Sequence, residues 1–131
     1  MEAADTLLML PGGQAVADWF GRVPRFHDAE ILALGFDMSG GATLRLHAWN
    51  LTRERDGKGV FLVDKNAVVS IQFAGVRKVN LTDLNLLPAI VYELSVSKAD
   101  DDFRVEWSSS YGVYGYIVAS DARLDLTPGA P

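Results

Sequence analysis

The sequence predicts a mainly-β domain of the α+β kind: an antiparallel β-sandwich or curled sheet of about seven strands, with one short N-terminal helix. Three observations carry that expectation. From Ile31 onward the hydrophobic pattern has a period of two, renewed in short runs as far as Leu126. Gly, Asn, Asp and Pro punctuate those runs, and no run alternates with a long helical segment, so βαβ units are excluded. The 131 residues, 49% hydrophobic and 22% charged, suit a single globular domain spanning 1–131. A chain of this length removes roughly two-thirds of its unfolded surface from water and needs no covalent staple.

Residues 1–11 read as a lead-in. Glu2 and Asp5 stand where a secretory signal carries basic residues, and the apolar run stops at Pro11. Residues 12–21 read as a helix, because Val16, Trp19 and Phe20 fall at i, i+3, i+4 and Gly21 suits a C-cap. Pro24 pushes Val23 into the β region, so the chain runs extended toward Phe26. The polar cluster of His27, Asp28 and Glu30 then opens the antiparallel β domain, expected over 26–126.

Leu32, Leu34, Phe36 and Met38 mark one face of the first strand, and Ser39-Gly40-Gly41 turns it. Leu44, Leu46 and Ala48 alternate with Arg45, His47 and Trp49 in the second strand, which makes an antiparallel hairpin with the first. Residues 53–59 read as a polar loop. Residues 60–63, 68–73 and 76–81 supply further strand material, the last set off by Gly75, and Asn85-Leu86-Leu87-Pro88 breaks the pattern. Ile90, Tyr92, Leu94 and Val96 alternate on the next strand; Asp100-Asp101-Asp102 turns into Phe103, Val105 and Trp107. Residues 111–115 form a glycine-aromatic loop before a last strand over 116–126, and the tail at 127–131 is expected to fray.

Composition removes several classes of function. Cysteine is absent, which excludes disulfides and thiolate metal sites. No stretch approaches the ~20 apolar residues that span a bilayer, so no membrane partner and a cytoplasmic location are expected. The net charge of −5 provides no basic footprint for nucleic acid. Between Glu93 and Asp125 seven acids face three bases, which accounts for −4 of that charge. An acidic surface of this kind keeps a chain soluble, or steers a basic protein onto it.

Candidate chemistry is sparse. On a strand, Asp28 and Glu30 share a face opposite His27; two carboxylates there could serve acid–base work or hold a divalent cation, or the cluster could clip backbone groups of a turn. His47 has no second ligand at zinc spacing, and Ser108, Ser109 and Ser110 lack the glycines of a nucleophile elbow. Gly12-Gly13 and Gly40-Gly41 lack phosphate-loop spacing. The chain is therefore expected to be non-enzymatic, with no metal and no cofactor. Tyr111, Gly112, Tyr114 and Gly115 combine flat amphipathic rings with backbone freedom; with Trp49 and Trp107 they could stack on a sugar, bind a protein, or pack as a β-bend.

The order Trp19, Gly21, Pro24, then Phe26-His27-Asp28-Ala29-Glu30-Ile31, then Leu44, Leu46-His47-Ala48-Trp49 resembles the opening of small bacterial proteins of the immunity protein 50 family. Val69, Ile71, Phe73, Gly75-Val76 and Phe103, Val105, Trp107, Ser110-Tyr111-Gly112, Gly115 resemble its later part, so the similarity runs roughly from Trp19 to Leu126. The resemblance implies a protein that neutralises a cognate bacterial toxin by direct binding, and it transfers no catalytic residue. Under that reading Asp100, Asp101, Asp102, Glu106, Tyr111 and Tyr114 are the expected contacts for a basic, nuclease-like toxin, while His27, Asp28, Glu30, Gly112 and Gly115 are matched motif positions. A small β-sandwich binding a ligand such as carbohydrate through Trp49, Trp107 and Tyr114 is the alternative, and an enzyme built on His27 with Asp28 or Glu30 a third.

Overall fold

The computed structural model describes residues 3–55, 57–59 and 61–131, without the side chains of 3–5, 51–55 and 61–63. It is mainly β, 60% strand, with two short helices. The order is α1 (Ala3–Met9), α2 (Gly13–Phe20), β1 (Glu30–Phe36), β2 (Ala42–Arg55), β3 (Phe61–Thr82), β4 (Ile90–Ala99), β5 (Asp102–Tyr111) and β6 (Tyr114–Pro128). All neighbouring strands are antiparallel, and the sheet curls until it closes into a barrel in the order β1-β2-β3-β6-β5-β4.

Closure and strand count depart from expectation for one reason. The three runs read as separate strands between residues 60 and 81 belong, from Phe61 on, to the single 22-residue strand β3. Lys65 (φ 56°) and Gly75 (φ 65°) are left-handed, and the register shifts against β2 around Lys65 and against β6 just after Val76, but pairing resumes beyond each irregularity, so six long strands replace about seven short ones. Such irregularities tighten local twist, and a strongly twisted sheet closes more readily than it stacks. The expected loop at 53–59 starts later than its composition suggests, since residues 53–55 end β2; Asp56 and Val60 lie outside the described residues.

The barrel interior is one core. Leu44, Leu46, Val69, Ile71, Val91, Val96, Val105, Trp107 and Ile117 are almost fully enclosed, and Leu7, Leu10, Val16 and Phe20 bring both helices into the same cluster. Helix α2 stands where its periodicity put it, with Gly21 at φ 78° as the C-cap. Helix α1 was not expected: Leu7 and Leu10, three residues apart, bury one side of what reads in sequence as a lead-in. The corner between the helices is stitched to β6, where the Leu124 amide donates to the Pro11 carbonyl at 2.8 Å. The tail is likewise held rather than frayed. Thr127 and Pro128 pair with Val68 and Ala67, and the Gly129 amide donates to Asn66 O at 2.8 Å.

Strand β1 carries less of the core than its alternation suggests. On either side of a bulge between Ile31 and Ala33, Ile31 and Leu34 pack on the core, whereas Phe36 is 43% and Met38 99% exposed. On β4, bulges on either side of Val91 turn Tyr92 outward and leave Val91, Leu94 and Val96 inside.

The β1–β2 turn is organised by Asp37. Its carboxylate accepts the amides of Ser39 (3.0 Å) and Gly41 (3.1 Å) and the Ser39 hydroxyl. The Ser39 hydroxyl bond foremost, then the Gly41 and Ser39 amides, hold this carboxyl below its ordinary value of 3.8. A depressed acid stabilises the folded turn fully above its unfolded pKa, and that contribution is lost as pH falls through the lower folded value. Protection of the Gly41 amide, taken against the unstructured-chain exchange rate at the same pH, is therefore expected to hold at neutral pH and to be lost only below the ordinary carboxylate range. In Asp37→Ala that protection is expected to be lost at every pH, which hydrogen exchange followed by NMR would read.

Candidate functional site

The residues that opened the β domain in sequence form the seam of the barrel. Strands β1 and β4 share one ladder pair, Glu30 with Ile90. The preceding segment extends that contact: Leu94 N donates to Arg25 O (2.9 Å), Asp28 N to Val91 O (2.9 Å), Val91 N to Ala29 O (2.8 Å) and Ile31 N to Ala89 O (2.9 Å). Phe26 and Ala29 are buried in the core from this segment. Phe26 (φ 58°) and Asp28 (φ 65°) are left-handed, and Ala29 N closes a turn onto Phe26 O at 3.0 Å.

That turn replaces the extended backbone expected at residues 27 and 28, so His27 and Asp28 do not occupy opposite faces of a strand. His27 Nδ1 donates to the Tyr92 carbonyl at 2.7 Å, because a carbonyl can only accept. The bond fixes the tautomer of the neutral ring and leaves Nε2 3.6 Å from an Asp28 carboxylate oxygen, in the open. Glu30 heads β1 opposite His47 in the ladder, and His47 Nε2 lies 2.9 Å from Asn66 Oδ1. Among the described residues no group of three His, Asp or Glu side chains is arranged to hold a metal ion.

Beside the seam lies a cleft of about 510 Å³ lined by Arg22, Arg25, His27, Asp28, Trp49, Asn50 and Tyr92 over apolar Phe20, Val23, Pro24, Phe26 and Ala48. Helix α2 ends at its rim and β2 forms its wall; Asn50 Nδ2 donates to Phe20 O at 2.9 Å and ties the two together. Tyr92 meets the His27 ring edge-on at 5.2 Å, and Trp49 meets His47 likewise at 5.0 Å. Sequence reasoning missed Arg22, Arg25 and Asn50: the two arginines are near neighbours, but Asn50 lies far from them along the chain, and together they form no motif.

A second depression lies on the outer surface of β3, β4, β5 and β6. Asn80, Glu93, Ser95, Glu106, Ser108, Tyr114 and Tyr116 line it. The pairings of Ser95 with Glu106, and of Glu106 with Tyr116, set these side chains in a row across three strands. Arg104 spans the row, its guanidinium 3.8 Å above the Tyr116 ring and 3.2 Å from Glu106. Glu93 pairs with Arg25 at 3.1 Å.

The expected contacts thus separate. Glu106 and Tyr114 share the outer face, and Tyr111 stands exposed at the end of β5. Asp100, Asp101 and Asp102 turn the opposite end of that strand, roughly 30 Å away at the usual rise per residue, and Asp102 is held by Arg77 at 2.9 Å. Gly112 sits in the β5–β6 turn, and Gly115 is the second residue of β6, paired with Leu81 of β3 and Trp107 of β5. A β-carbon on Gly112 would stand 2.7 Å from Leu86 O, and one on Gly115 1.8 Å from Asn80 O. The proposed sugar platform is not assembled: Trp107 is 2% exposed, its indole N–H donating to Val113 O at 3.0 Å, while Trp49 and Tyr114 line different depressions.

No family model matches the chain, and no curated protein matches it. Among solved structures it is similar to an uncharacterized protein from Neisseria gonorrhoeae, with a TM-score of 0.51 over 76% of this chain and 92% of that one, at 14% identity. Identity that low carries a shared fold alone. No described helix is long and apolar enough to cross a membrane.

Proposed function

We propose that the chain is a non-catalytic binding protein that acts in the cytoplasm, neutralising a bacterial toxin by docking on it. This is the role that the resemblance to the immunity protein 50 family implies. The observation that supports it is the outer face of β4, β5 and β6, where Tyr114 and Tyr116 are set among Ser95, Ser108, Glu93 and Glu106. Tyrosines with serines between them are the composition of adaptable binding surfaces. The ring gives a large contact area at the entropy cost of two torsions, and the small hydroxyls adjust to the partner's hydrogen bonds. A strand scaffold holds the row in register, which reduces the ordering cost of association. The chain's net charge of −5 favours a basic partner, with charge raising the on-rate and ring burial slowing release. Asp100 and Asp101 then act at long range, while Glu106 and Tyr114 make the contact.

The test uses the polypeptide encoded by the adjacent gene as the candidate toxin. Co-expression with this chain is expected to rescue growth, and the purified proteins to form a stable complex. The double substitution Tyr114→Ala with Glu106→Arg is expected to weaken that complex by about 100-fold or more, the scale of losing a central aromatic anchor and reversing a contact charge. Absence of both rescue and complex overturns the role. A complex indifferent to the double substitution overturns the face.

A further inference from the structure

The cleft beside the seam has a chemistry opposite to that of the whole chain. Arg25, Arg77, Arg104 and Arg123 each pair with a carboxylate, Glu93, Asp102, Glu106 and Asp125 respectively. Arg22 does not: among the described residues its guanidinium makes one long contact, 3.5 Å to Asn50 Oδ1. It projects at the rim of a depression that also holds the guanidinium of Arg25 and the rings of Trp49 and Tyr92. An arginine fork without a carboxylate, next to aromatic rings over an apolar floor, matches a ligand with an anionic group at one end and a flat ring at the other.

We infer that this cleft binds a small anion bearing a planar ring, the chemistry of a nucleoside monophosphate. The phosphate lies on Arg22, with Arg25 contributing the part of its guanidinium that Glu93 leaves free. The ring packs against Trp49 and Tyr92. Orientation follows from Asp28, which lines the same cleft 3.6 Å from His27 Nε2. Its carboxylate repels phosphate and accepts hydroxyl hydrogens, so the sugar end of the ligand faces the His27–Asp28 pair. A volume of about 510 Å³ admits one such molecule. A polymer is disfavoured by the same net charge of −5 that leaves no basic track beyond the cleft. The site is distinct from the proposed docking face and stands or falls without it.

Adenosine monophosphate, adenosine and inorganic phosphate, each titrated into the full chain, test the inference through the Trp49 indole and Arg22 guanidinium resonances in NMR. Adenosine monophosphate is expected to move both and to bind at least about tenfold more tightly than either half alone. Arg22→Gln is expected to weaken it by about tenfold or more, while Arg45→Gln, at an exposed arginine outside the cleft, leaves it unchanged. Resonances unmoved by adenosine monophosphate overturn the site. Equal weakening by Arg22→Gln and Arg45→Gln overturns it too, since that is the mark of bulk charge. Phosphate binding as tightly as the nucleotide, with the Trp49 indole still, overturns the ring.

Discussion

Replacing Trp107 by alanine is expected to remove about 3–5 kcal/mol of folding stability, the range for deleting a large aromatic side chain from a packed core. Trp107 is 2% exposed and stands among the largest enclosed side chains, so its loss leaves a cavity that a closed barrel has little freedom to collapse. Its indole N–H also satisfies the carbonyl of Val113 in the β5–β6 turn, and that buried acceptor would be stranded. With native stabilities of about 5–15 kcal/mol, the variant is expected to be marginal or unfolded at ambient temperature. Urea titration followed by far-ultraviolet circular dichroism reads the change. Trp107→Phe retains most of the volume and loses the hydrogen bond, so it is expected to fall well short of the alanine variant. Equal stability of the alanine variant and the parent would refute this account of the core.

Gly115→Ala is expected to be comparably damaging, at roughly 2–5 kcal/mol from backbone strain and overpacking together. Gly115 has φ 152° and pairs with Leu81 across the β3–β6 ladder. A β-carbon there would stand 1.8 Å from Asn80 O, 2.8 Å from Asn80 C and 3.1 Å from Leu81 Cα, all backbone atoms of a paired strand. Rotamer changes relieve none of these contacts; only parting the strands does. Gly21→Ala is the control. Gly21 is left-handed too, at φ 78°, but its added carbon meets nothing within 4 Å, so only the left-handed cost of about 1–2 kcal/mol applies. If thermal melts place the two variants together, the close approach at Gly115 is not what constrains that position.

Both residues belong to the stretch that carries the later part of the family resemblance, and their roles are those of architecture. Trp107 plugs the barrel and anchors the turn, Gly112 and Gly115 let strands and turn approach, and the exposed tyrosines beside them are left available for contact. The same division holds at the start of the β domain. Phe26 and Ala29 face the core and close the seam, while His27 and Asp28 stand outside on a left-handed turn.

Local patterning determined much of this molecule. Alternation predicts antiparallel strands at Leu44, Leu46 and Ala48 and at Val105 and Trp107. The i, i+3, i+4 spacing of Val16, Trp19 and Phe20 predicts helix α2. Each of these properties is set by neighbours within a few residues, which is why sequence shows them. The remainder depends on what meets across the fold. Whether Phe61–Thr82 is three strands or one turns on irregularities beyond which pairing resumes, and the barrel closes only because residues 25–31 find β4. Arg22, Arg25, Trp49 and Tyr92 become a cleft because α2, the seam, β2 and β4 converge, and Asp100 parts from Tyr111 because the extended strand β5 runs between them. Period and charge are local quantities that a chain carries before it folds; proximity between distant residues comes into being only once backbone hydrogen bonds and core packing have fixed one closed sheet.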